Sequence, residues 1–325
     1  MPTFIERRAL LAGGAALAAC PARAAETVTI AIQYGIGYLP VMIAGRLELF
    51  ARHAGIAVPV VLTRMSGATA INDALISGSI DIGAYGLPGM LIAREKTARN
   101  FDVRGLCSLS SLPYGLYTNV PGIRTIADIG PGERIAVTAP NTPQAELLRM
   151  AAQKAFGDAR RFDPQMVSLP HPDATIALMG GRGVTLYFAT PPFSQTLDAA
   201  PGVHRVATSR DILGEEITGA LLATTARFMA RPGMAAAIVA ALAEADGMIR
   251  QDAARAAALY LESEASKLTA AQVEAILREM GGLFATEPSG TMAMARFMAA
   301  QNELKSPPTR WQDVFFPPIN QGAGS

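Results

Sequence analysis

The chain has 325 residues, of which 50% are hydrophobic and 17% charged, and its formal net charge is +1. A protein this close to neutral lacks the basic surface that nucleic-acid binding requires, so we expect no nucleic-acid partner. The roughly 300 residues beyond the N-terminal segment are enough for one large domain or for two lobes with a sizeable core.

The N-terminal segment, residues 1–24, has the pattern of an export signal. The basic pair Arg7-Arg8 precedes an uncharged apolar run, 9–19, that is too short to span a membrane. Residues 6–11 also resemble a twin-arginine signal, without the usual Ser or Thr before the pair. We therefore expect export to the periplasm by the general or the twin-arginine route. The alternative is an amphipathic N-terminal helix of the folded domain.

Two processing sites compete at the end of this signal peptide. Ala22-Arg23-Ala24 fits cleavage before Ala25, whereas Leu17-Ala18-Ala19-Cys20 resembles a lipobox that would leave a lipid on Cys20. Either outcome leaves Cys107 without a cysteine partner, so we expect no intrachain disulfide. Cys107 lies in an apolar run, which favours a buried and inert thiol.

The first half of the chain alternates strands with helices. We expect strands at 27–32, 58–62, 80–84 and 103–110, and helices at 41–50, between Thr69 and Gly78, and at 90–96. The pattern restarts near residue 113, with strands at 115–118, 134–138, 167–169, 184–188 and 203–208 and helices at 145–156, at 174–179 and after Phe193.

The remainder of the chain is expected to be mostly helical after one last strand, 218–224, that returns to the first half. Its Ala-rich stretch 233–261 contains charged residues at intervals, which predicts an amphipathic helix or helix pair rather than a membrane span. Alternating strands and helices of these lengths predict an α/β fold with open sheets.

The same strand–loop–helix arrangement occurs once in each half. Ser66-Gly67-Ala68-Thr69 begins a helix in the first half, and Thr138 to Gln144 begins one in the second. The first turn of a helix has free backbone N–H groups, which bind anionic or polar groups without a dedicated cation. Ligands of open α/β sheets lie beyond the carboxyl ends of the strands, so two facing sheets predict a binding cleft. Ordinary helix capping is the alternative for each site alone.

Aromatic residues fall in the loops expected around this cleft. They are Tyr34, Tyr38, Tyr85 and Tyr114, with Phe188 and Phe193 beside a third loop. Rings in loops indicate an apolar or planar part of a ligand. Scattered, half-buried aromatic residues are the alternative.

The sequence carries no recognisable catalytic or metal-binding motif. The histidines His53, His171 and His204 lack metal-ligand spacing, and no nucleophile elbow, P-loop or dinucleotide-binding glycine motif is present. We expect no catalytic residue, no metal and no cofactor. His171, between two prolines, is a remote candidate for a binding site. Arg64 either reaches a ligand carboxylate or sulfonate or is a surface strand residue.

Several segments resemble the substrate-binding proteins of nitrate-, sulfonate- and taurine-type ABC transporters, including the thiamine-precursor (NMT1/THI5-like) branch. Together they cover nearly the whole chain after residue 24. They are Tyr38-Leu39-Pro40, Ser66-Gly67, Asn72 to Gly83, Asn141 to Gln144, His171-Pro172-Asp173-Ala174, Phe188 to Phe193 and Trp311 to Pro317.

The resemblance implies a type II periplasmic binding protein fold, with two lobes joined by two hinge strands. The expected lobes are 25–112 with the return 217–300, and 113–216, followed by a C-terminal tail, 301–325. We expect the tail to pack back through Trp311, Phe315 and Phe316, with its last few residues disordered. The implied partners are ABC permease and ATPase subunits. The protein would be a monomer that meets the membrane only through the permease or a lipid on Cys20.

Carried onto this chain, the resemblance gives a set of ligand-facing candidates: Gln33, Gly35, Tyr38, Ser66, Gly67, Thr69, Tyr85, Tyr114, Asn141, Thr142 and Thr190. Members that bind alkylsulfonates or taurine use more polar contacts. The tyrosines here favour an aromatic carboxylate or sulfonate, or a heterocycle such as a pyrimidine. Two alternatives to import remain: an enzyme similar to the thiamine-pyrimidine synthases, whose cysteine-rich iron motif is not present, and a sensor that presents ligand to a receptor.

Overall fold

The fold is that of a computed structural model in which residues 27–55, 59–65, 67–215 and 217–325 are described. The predicted export signal and both of its processing sites lie outside the described residues, and so does the candidate Ser66.

The first sheet has five strands within the described chain: β1 (Val28–Ile32), β2 (Val60–Arg64), β3 (Ile82–Tyr85), β4 (Arg104–Ser110) and β10 (Ala220–Thr224). Their order is β2-β1-β3-β10-β4. β1 pairs in parallel with β2 and β3, whereas β10 runs antiparallel to β3 and β4. The prediction that the last strand returns to the first half is therefore confirmed. The central strands β3 and β10 are buried on both faces, as expected for a sheet covered by helices.

The second sheet repeats this arrangement with five described strands: β5 (Gly115–Thr118), β6 (Ile135–Val137), β7 (Met166–Ser168), β8 (Leu186–Ala189) and β9 (His204–Thr208). Their order is β7-β6-β8-β5-β9. β6 is parallel to β7 and β8, and β5 is antiparallel to β8 and β9. The predicted α/β fold with two open sheets, one in each of two lobes, is confirmed.

The chain passes between the sheets twice. The first crossing joins β4 to β5 through residues 111–114, and the second joins β9 to β10 through residues 209–219. The two crossings are hydrogen-bonded to each other, since Ser209 N donates to Tyr114 O at 2.8 Å and Tyr114 N donates to Ser209 Oγ at 3.1 Å. The lobes are therefore connected by two adjacent backbone segments, which is the geometry of a hinge.

Helices cover both sheets. The first lobe has α1 (Leu39–Arg46), α2 (Leu49–Ala54), α3 (Ala68–Ser77), α4 (Leu87–Thr97), α9 (Ala226–Met229), α10 (Met234–Gln251), α11 (Ala253–Ser263), α12 (Ala270–Met280) and α13 (Thr291–Ala300). The second lobe has α5 (Pro143–Phe156), α6 (His171–Met179), α7 (Phe193–Asp198) and α8 (Ser209–Leu213). The Ala-rich stretch is the helix pair α10–α11, and no helix in the described ranges is long and apolar enough to cross a bilayer.

One predicted helix is wrong in detail. The single helix expected at 41–50 is two helices, α1 and α2, because Glu48 between them adopts a left-handed backbone with φ 54°.

The C-terminal tail packs on the first lobe. Trp311, Phe315 and Phe316 are buried, and Phe316 N donates to Gly105 O at 2.8 Å. A Cβ atom at Gly105 would lie 2.4 Å from the Phe315 ring, so the ring occupies the space of a missing side chain. The expectation of a disordered end is wrong: Thr291 N donates to Ser325 O at 2.8 Å, and Ser325 N donates to Pro288 O at 3.1 Å.

Candidate ligand-binding site

Helix N-termini from both lobes converge between the two sheets. α4 begins after Gly86 in the first lobe, whereas α5 begins after Thr142 and α6 begins at His171 in the second lobe. No described side chain caps any of these three helices. Because unpaired N–H groups and the helix dipole make this end of a helix positive, the space in front of them favours an anion or the negative end of a polar group.

This space is a small cavity between the lobes, which we call the cleft cavity. Its volume is about 40 Å³. It is lined by Gln33, Tyr34, Gly35, Gly37, Tyr38, Gly86, Ser110, Leu112, Tyr114, Thr138, Thr142, Pro143, Gln144, His171, Thr190, Gly219 and Ala220. An extension of about 10 Å³ adds Met65, Gly67 and Pro170. None of these lining residues is Asp, Glu, Lys or Arg, so only dipoles and hydrogen bonds would meet the charge of a ligand.

The two lobes touch across the cleft. Gly86 of the first lobe faces Pro143 of the second so closely that a Cβ atom on Gly86 would lie 2.4 Å from Pro143 Cδ. Gly67 faces Ala139 less closely, since a Cβ atom on Gly67 would lie in ordinary van der Waals contact with Ala139 Cβ, at 3.6 Å. Glycine at these places allows the backbone of the first lobe to approach the second.

A polar network forms the second-lobe wall. His171 Nδ1 is hydrogen-bonded to Tyr187 Oη, and His171 Nε2 lies 3.3 Å from Gln144 Nε2. Gln144 Oε1 in turn accepts from Thr138 Oγ1 at 3.4 Å. Burial lowers the pKa of His171 to about 4, so its ring is neutral near pH 7. A neutral ring that accepts from Gln144 must carry its proton on Nδ1, facing Tyr187.

Hydroxyl groups supply the remaining polar surface. Tyr38, Ser110 and Thr190 line the cleft cavity, and their hydroxyl groups make no hydrogen bond within the described chain. Tyr114 Oη donates to Gly219 O at 3.2 Å. Burial raises the pKa of Tyr38 and of Tyr114, with the Glu264 carboxylate adding to the effect on Tyr38. Both phenols therefore stay protonated. Tyr38 Oη can donate to a ligand, whereas Tyr114 Oη, whose proton goes to Gly219 O, can only accept from one.

The charged groups nearest to the cleft cavity neutralise each other. Arg64 Nη1 lies 2.8 Å from Glu264 Oε2, and the side chain of Glu264 is only 4% exposed. Glu264 also accepts from Gly35 N at 3.0 Å and from Tyr260 Oη at 2.9 Å. Arg64 donates further to Gln33 O and Ser263 O, and these bonds fix the loop after β1. Arg64 ends the edge strand β2 with a side chain that is 27% exposed, and it does not line the cleft cavity.

The structure places the candidate residues in three groups. Six line the cleft cavity: Gln33, Gly35, Tyr38, Tyr114, Thr142 and Thr190. Gly67 lines its extension, where Gly67 N donates to Gln33 Oε1 at 3.3 Å. Thr69, Tyr85 and Asn141 line neither space.

Local structure explains why Thr69, Tyr85 and Asn141 do not line the cleft cavity. Thr69 is exposed in the first turn of α3, which begins at Ala68, two residues earlier than a loop through Thr69 would allow. Tyr85 ends β3 rather than lying in a loop, and its ring packs over Gly83 and Gly89 inside the first lobe, with no exposed surface. Asn141 is half-buried beside α5, and its Oδ1 has no partner among the described residues.

Sequence reasoning missed several lining residues. Gln144 and Gly86 were not proposed, and His171 was only a remote candidate, yet all three line the cleft cavity. Gln144 follows Pro143 at the start of a helix in the strand–loop–helix segment already identified, so the sequence could have indicated it as a lining residue. The sequence could not have indicated the ion pair of Glu264, since Glu264 lies 200 residues from Arg64.

The described residues contain no group of three His, Cys, Asp or Glu side chains placed to bind one ion. Cys107 is free and buried inside the first lobe, where burial raises the pKa of its thiol.

Solved structures share this fold. The alkanesulfonate-binding protein SsuA from Xanthomonas axonopodis pv. citri, bound to MOPS, is 21% identical with a TM-score of 0.71, covering 87% of this chain and 96% of that chain. The periplasmic aliphatic sulphonate binding protein SsuA from Escherichia coli is 18% identical with a TM-score of 0.66, covering 91% and 99%. The periplasmic nitrate-binding protein NrtA from Synechocystis PCC 6803 is 14% identical with a TM-score of 0.62, covering 78% and 70%.

At these identities the likeness establishes the periplasmic binding protein fold and leaves the ligand open. No curated protein sequence matches the chain significantly. The model of the NMT1-like family matches residues 22–261, which span both lobes and every lining residue of the cleft cavity. The chain therefore belongs to the NMT1-like family.

Proposed function

We propose that this chain is an extracytoplasmic solute-binding protein that encloses a small organic molecule between its lobes and delivers it to an ABC importer. The observation that carries the proposal is the cleft cavity at three helix N-termini, lined without a charged side chain of either sign. Its partners would be the permease and ATPase subunits, and its location the periplasm.

The charge of the ligand follows from this lining. The helix N-termini of α4 and α5 supply positive potential, while Arg64 and Glu264 cancel each other behind the loop after β1. A cation would find no counter-charge here, whereas an anion would meet free N–H and hydroxyl donors. The ligand is therefore a small anion or a neutral molecule rich in acceptors.

The rings around the cleft cavity narrow the class further. Tyr34, Tyr38 and Tyr114 line it, and their faces suit a planar or apolar part of the ligand. We infer an aromatic carboxylate, an aromatic sulfonate or a pyrimidine-like heterocycle as the ligand class. Binding, not turnover, is the proposed activity, because both nitrogens of His171, the sole imidazole of the lining, are engaged within the protein.

Closure is the proposed mechanism of capture. The lobes, 25–112 with 217–300 and 113–216, would rotate about the paired crossings near Tyr114 and Ser209. Ligand contacts that form only when Gly86 reaches Pro143 would shift the population to the closed form. The closed form is then the one that the permease would recognise.

A thermal-shift screen of the mature protein tests the proposal. The compounds are sulfonates, aromatic carboxylates, nitrate, bicarbonate and pyrimidines, with choline as a cation control. A ligand at one hundred times its Kd adds about 2.7 kcal/mol to the free energy of unfolding, so a matching anion should raise the Tm by several degrees. Equal shifts with ring-bearing and ring-free anions would remove the ring preference. A shift with choline and none with anions would contradict the proposed function.

A further inference from the structure

A second cavity, which we call the side groove, lies beside the cleft cavity where the lobes meet. Its volume is about 360 Å³ and its surface is mainly apolar. The second lobe contributes Ile176, Met179 and Phe193 from α6 and α7, and the first lobe contributes Tyr260 and the segment 264–268 that follows α11. The side groove therefore depends on both lobes, as the cleft cavity does.

A thin partition separates the two spaces. On the second-lobe side it is a stacked pair of rings: His171 faces the cleft cavity and Phe193 faces the side groove, with ring centroids 5.2 Å apart and planes 9° apart. On the first-lobe side it is Gly35, where a Cβ atom would lie 3.6 Å from Phe193 Cε2. A movement of the Phe193 ring would join the two spaces.

The apolar wall of the side groove includes large side chains that face solvent. Ile176 is 64% exposed and Met179 is 50% exposed, the largest exposures among the large hydrophobic residues of the second lobe that are described. They lie three residues apart on α6, which places them on one face of the helix. Covering them with an apolar group would remove this surface from water.

The charged residues that line the side groove, Glu264 and Lys267, do not favour a charged ligand group there. Glu264 lines it, but Arg64 and the N–H of Gly35 already satisfy that carboxylate. Lys267 is exposed in the lining segment, where its ammonium group is hydrated. The interior between α6, α7 and Leu268 is apolar.

The size of the cleft cavity makes the side groove relevant to the ligand. A volume of about 40 Å³ holds a head group such as a carboxylate or sulfonate. Pockets that enclose whole organic ligands are larger, about 300–1,000 Å³. The side groove, at about 360 Å³, supplies the missing space next to the helix N-termini.

We propose that the side groove is the subsite for the apolar tail of an amphipathic anion whose head group lies in the cleft cavity. This inference rests on the proposed function and deepens it, because it specifies a ligand with one charged end and an uncharged alkyl or aryl chain. The chain passes the partition at Gly35 and Phe193 and covers Ile176 and Met179.

Calorimetric titration with two homologous series tests the subsite. The probes are straight-chain 1-alkanesulfonates from methane- to octanesulfonate and the matching alkanoates, added to the mature protein. Each methylene group buried in the side groove should lower the Kd about four-fold. Ile176→Gln and Met179→Gln should flatten this dependence on chain length and leave the Kd of the shortest anions unchanged. Ile76→Gln is the matched control, because Ile76 is a 37% exposed isoleucine on α3 that lines neither space.

The outcomes separate the two proposals. A Kd that is independent of chain length in the wild type overturns the tail subsite and leaves the proposed function standing. Absence of binding for every chain length and both head groups overturns both proposals. Unchanged Kd values in Ile176→Gln, together with reduced uptake in cells, would place a partner protein on the side groove and would also overturn the tail subsite. Because Ile176 and Met179 are exposed, melting curves of these variants should match the wild type.

Discussion

The two lobes share one strand arrangement yet present different chemistry to the cleft cavity. The first lobe contributes mainly backbone and rings, through Gly35, Gly37, Gly86, Gly219 and its tyrosines. The second lobe contributes hydrogen-bonding side chains, through Thr138, Thr142, Gln144, His171 and Thr190. Since the sheets are alike, the fold does not dictate this difference. The glycines of the first lobe set how closely the lobes approach, and the second lobe supplies most of the hydrogen-bonding side chains, to which the first lobe adds Gln33, Tyr38 and Ser110.

The two walls are also held in place differently. The loop after β1 in the first lobe is fixed by the buried ion pair of Arg64 with Glu264. The second-lobe wall is fixed by neutral hydrogen bonds among His171, Tyr187 and Gln144. Variants of each wall should therefore respond differently to charge removal, added bulk and pH.

The largest expected effect comes from removing the anchor of the first lobe. Glu264→Ala leaves Arg64 without its carboxylate and Gly35 N without an acceptor, and breaking such a buried pair costs about 3 kcal/mol or more. Glu262→Ala is the matched control, because its pair with Arg46 is more than half exposed and should contribute less than about 1 kcal/mol. Urea unfolding measures both. Equal decreases in the free energy of unfolding of the two variants would show that the Arg64–Glu264 pair stabilises the fold no more than an exposed ion pair does.

A smaller effect should follow from adding bulk where the lobes touch. Gly86→Ala places a methyl group 2.4 Å from the rigid Pro143 ring, while its own backbone, φ −77°, accepts alanine without strain. An overpacked contact costs about 1–3 kcal/mol, so ligand affinity should fall about ten-fold or more as the open form becomes favoured. Gly132→Ala is the control, with no atom within 4 Å of the new methyl group. Calorimetry and the radius of gyration in solution measure the change. An unaltered Kd in Gly86→Ala would mean that this contact does not limit closure.

The pH dependence of stability tests one buried acid in each lobe. Burial raises the pKa of Asp246 in α10 to about 8, with Glu287 adding to the effect. Burial and the nearby Glu303 also raise the pKa of Glu146 in α5, against the opposing effect of its ion pair with Arg149. The folded protein then holds protons that the unfolded chain releases at the ordinary pKa values of 3.8 for Asp and 4.5 for Glu, so the free energy of unfolding should fall as the pH rises from about 4 to 8.

Variants of the two acids show how much each lobe contributes to this pH dependence of the free energy of unfolding. Each acid contributes at most about 1.4 kcal/mol per pH unit within that window, and Asp246→Asn or Glu146→Gln should remove its share. Chemical unfolding at a series of pH values provides the comparison. A slope that survives in the double variant would place the titration elsewhere in the molecule.

The smallest expected effect concerns His171. Its pKa, lowered to about 4 by burial, keeps the ring neutral down to well below pH 6, so anion affinity should not rise as the pH falls from 8 to 5.5. The stability that this neutral ring contributes is instead lost as the pH falls from about 6.5 toward 4. NMR of the His171 ring protons, assigned with His171→Gln, follows the titration. A ring that titrates near pH 6.5 would contradict the buried, neutral network.

Much of this architecture could be predicted from the sequence. The strand and helix periodicity gave both sheets and the returning strand, because buried strands of an α/β fold are short apolar runs between turn residues. The helix α3 could be predicted from local sequence, because Gly67 immediately precedes it and Gly78, in the left-handed conformation, ends it. Helix ends of this kind can be predicted from the sequence because they do not depend on tertiary contacts.

The site was less accessible because its composition depends on the contact between lobes. Tyr85 looked like a loop residue but continues β3 into the core, and a one-residue shift of a strand end decides which way a side chain faces. The ion pair of Arg64 with Glu264 joins residues far apart in the sequence, and no periodic pattern of residues predicts it. The role of Gly86 appears only when the opposite lobe is present.

A crystal structure of the mature protein with the tightest-binding anion of the screen tests the central claim most directly. We expect the charged group of the ligand in the cleft cavity, within hydrogen-bonding distance of the first backbone N–H groups of α5 and of the Tyr38 or Thr190 hydroxyl, with Gly86 against Pro143. A ligand bound elsewhere, or lobes that close on it without contacts to the helix N-termini, would contradict the account.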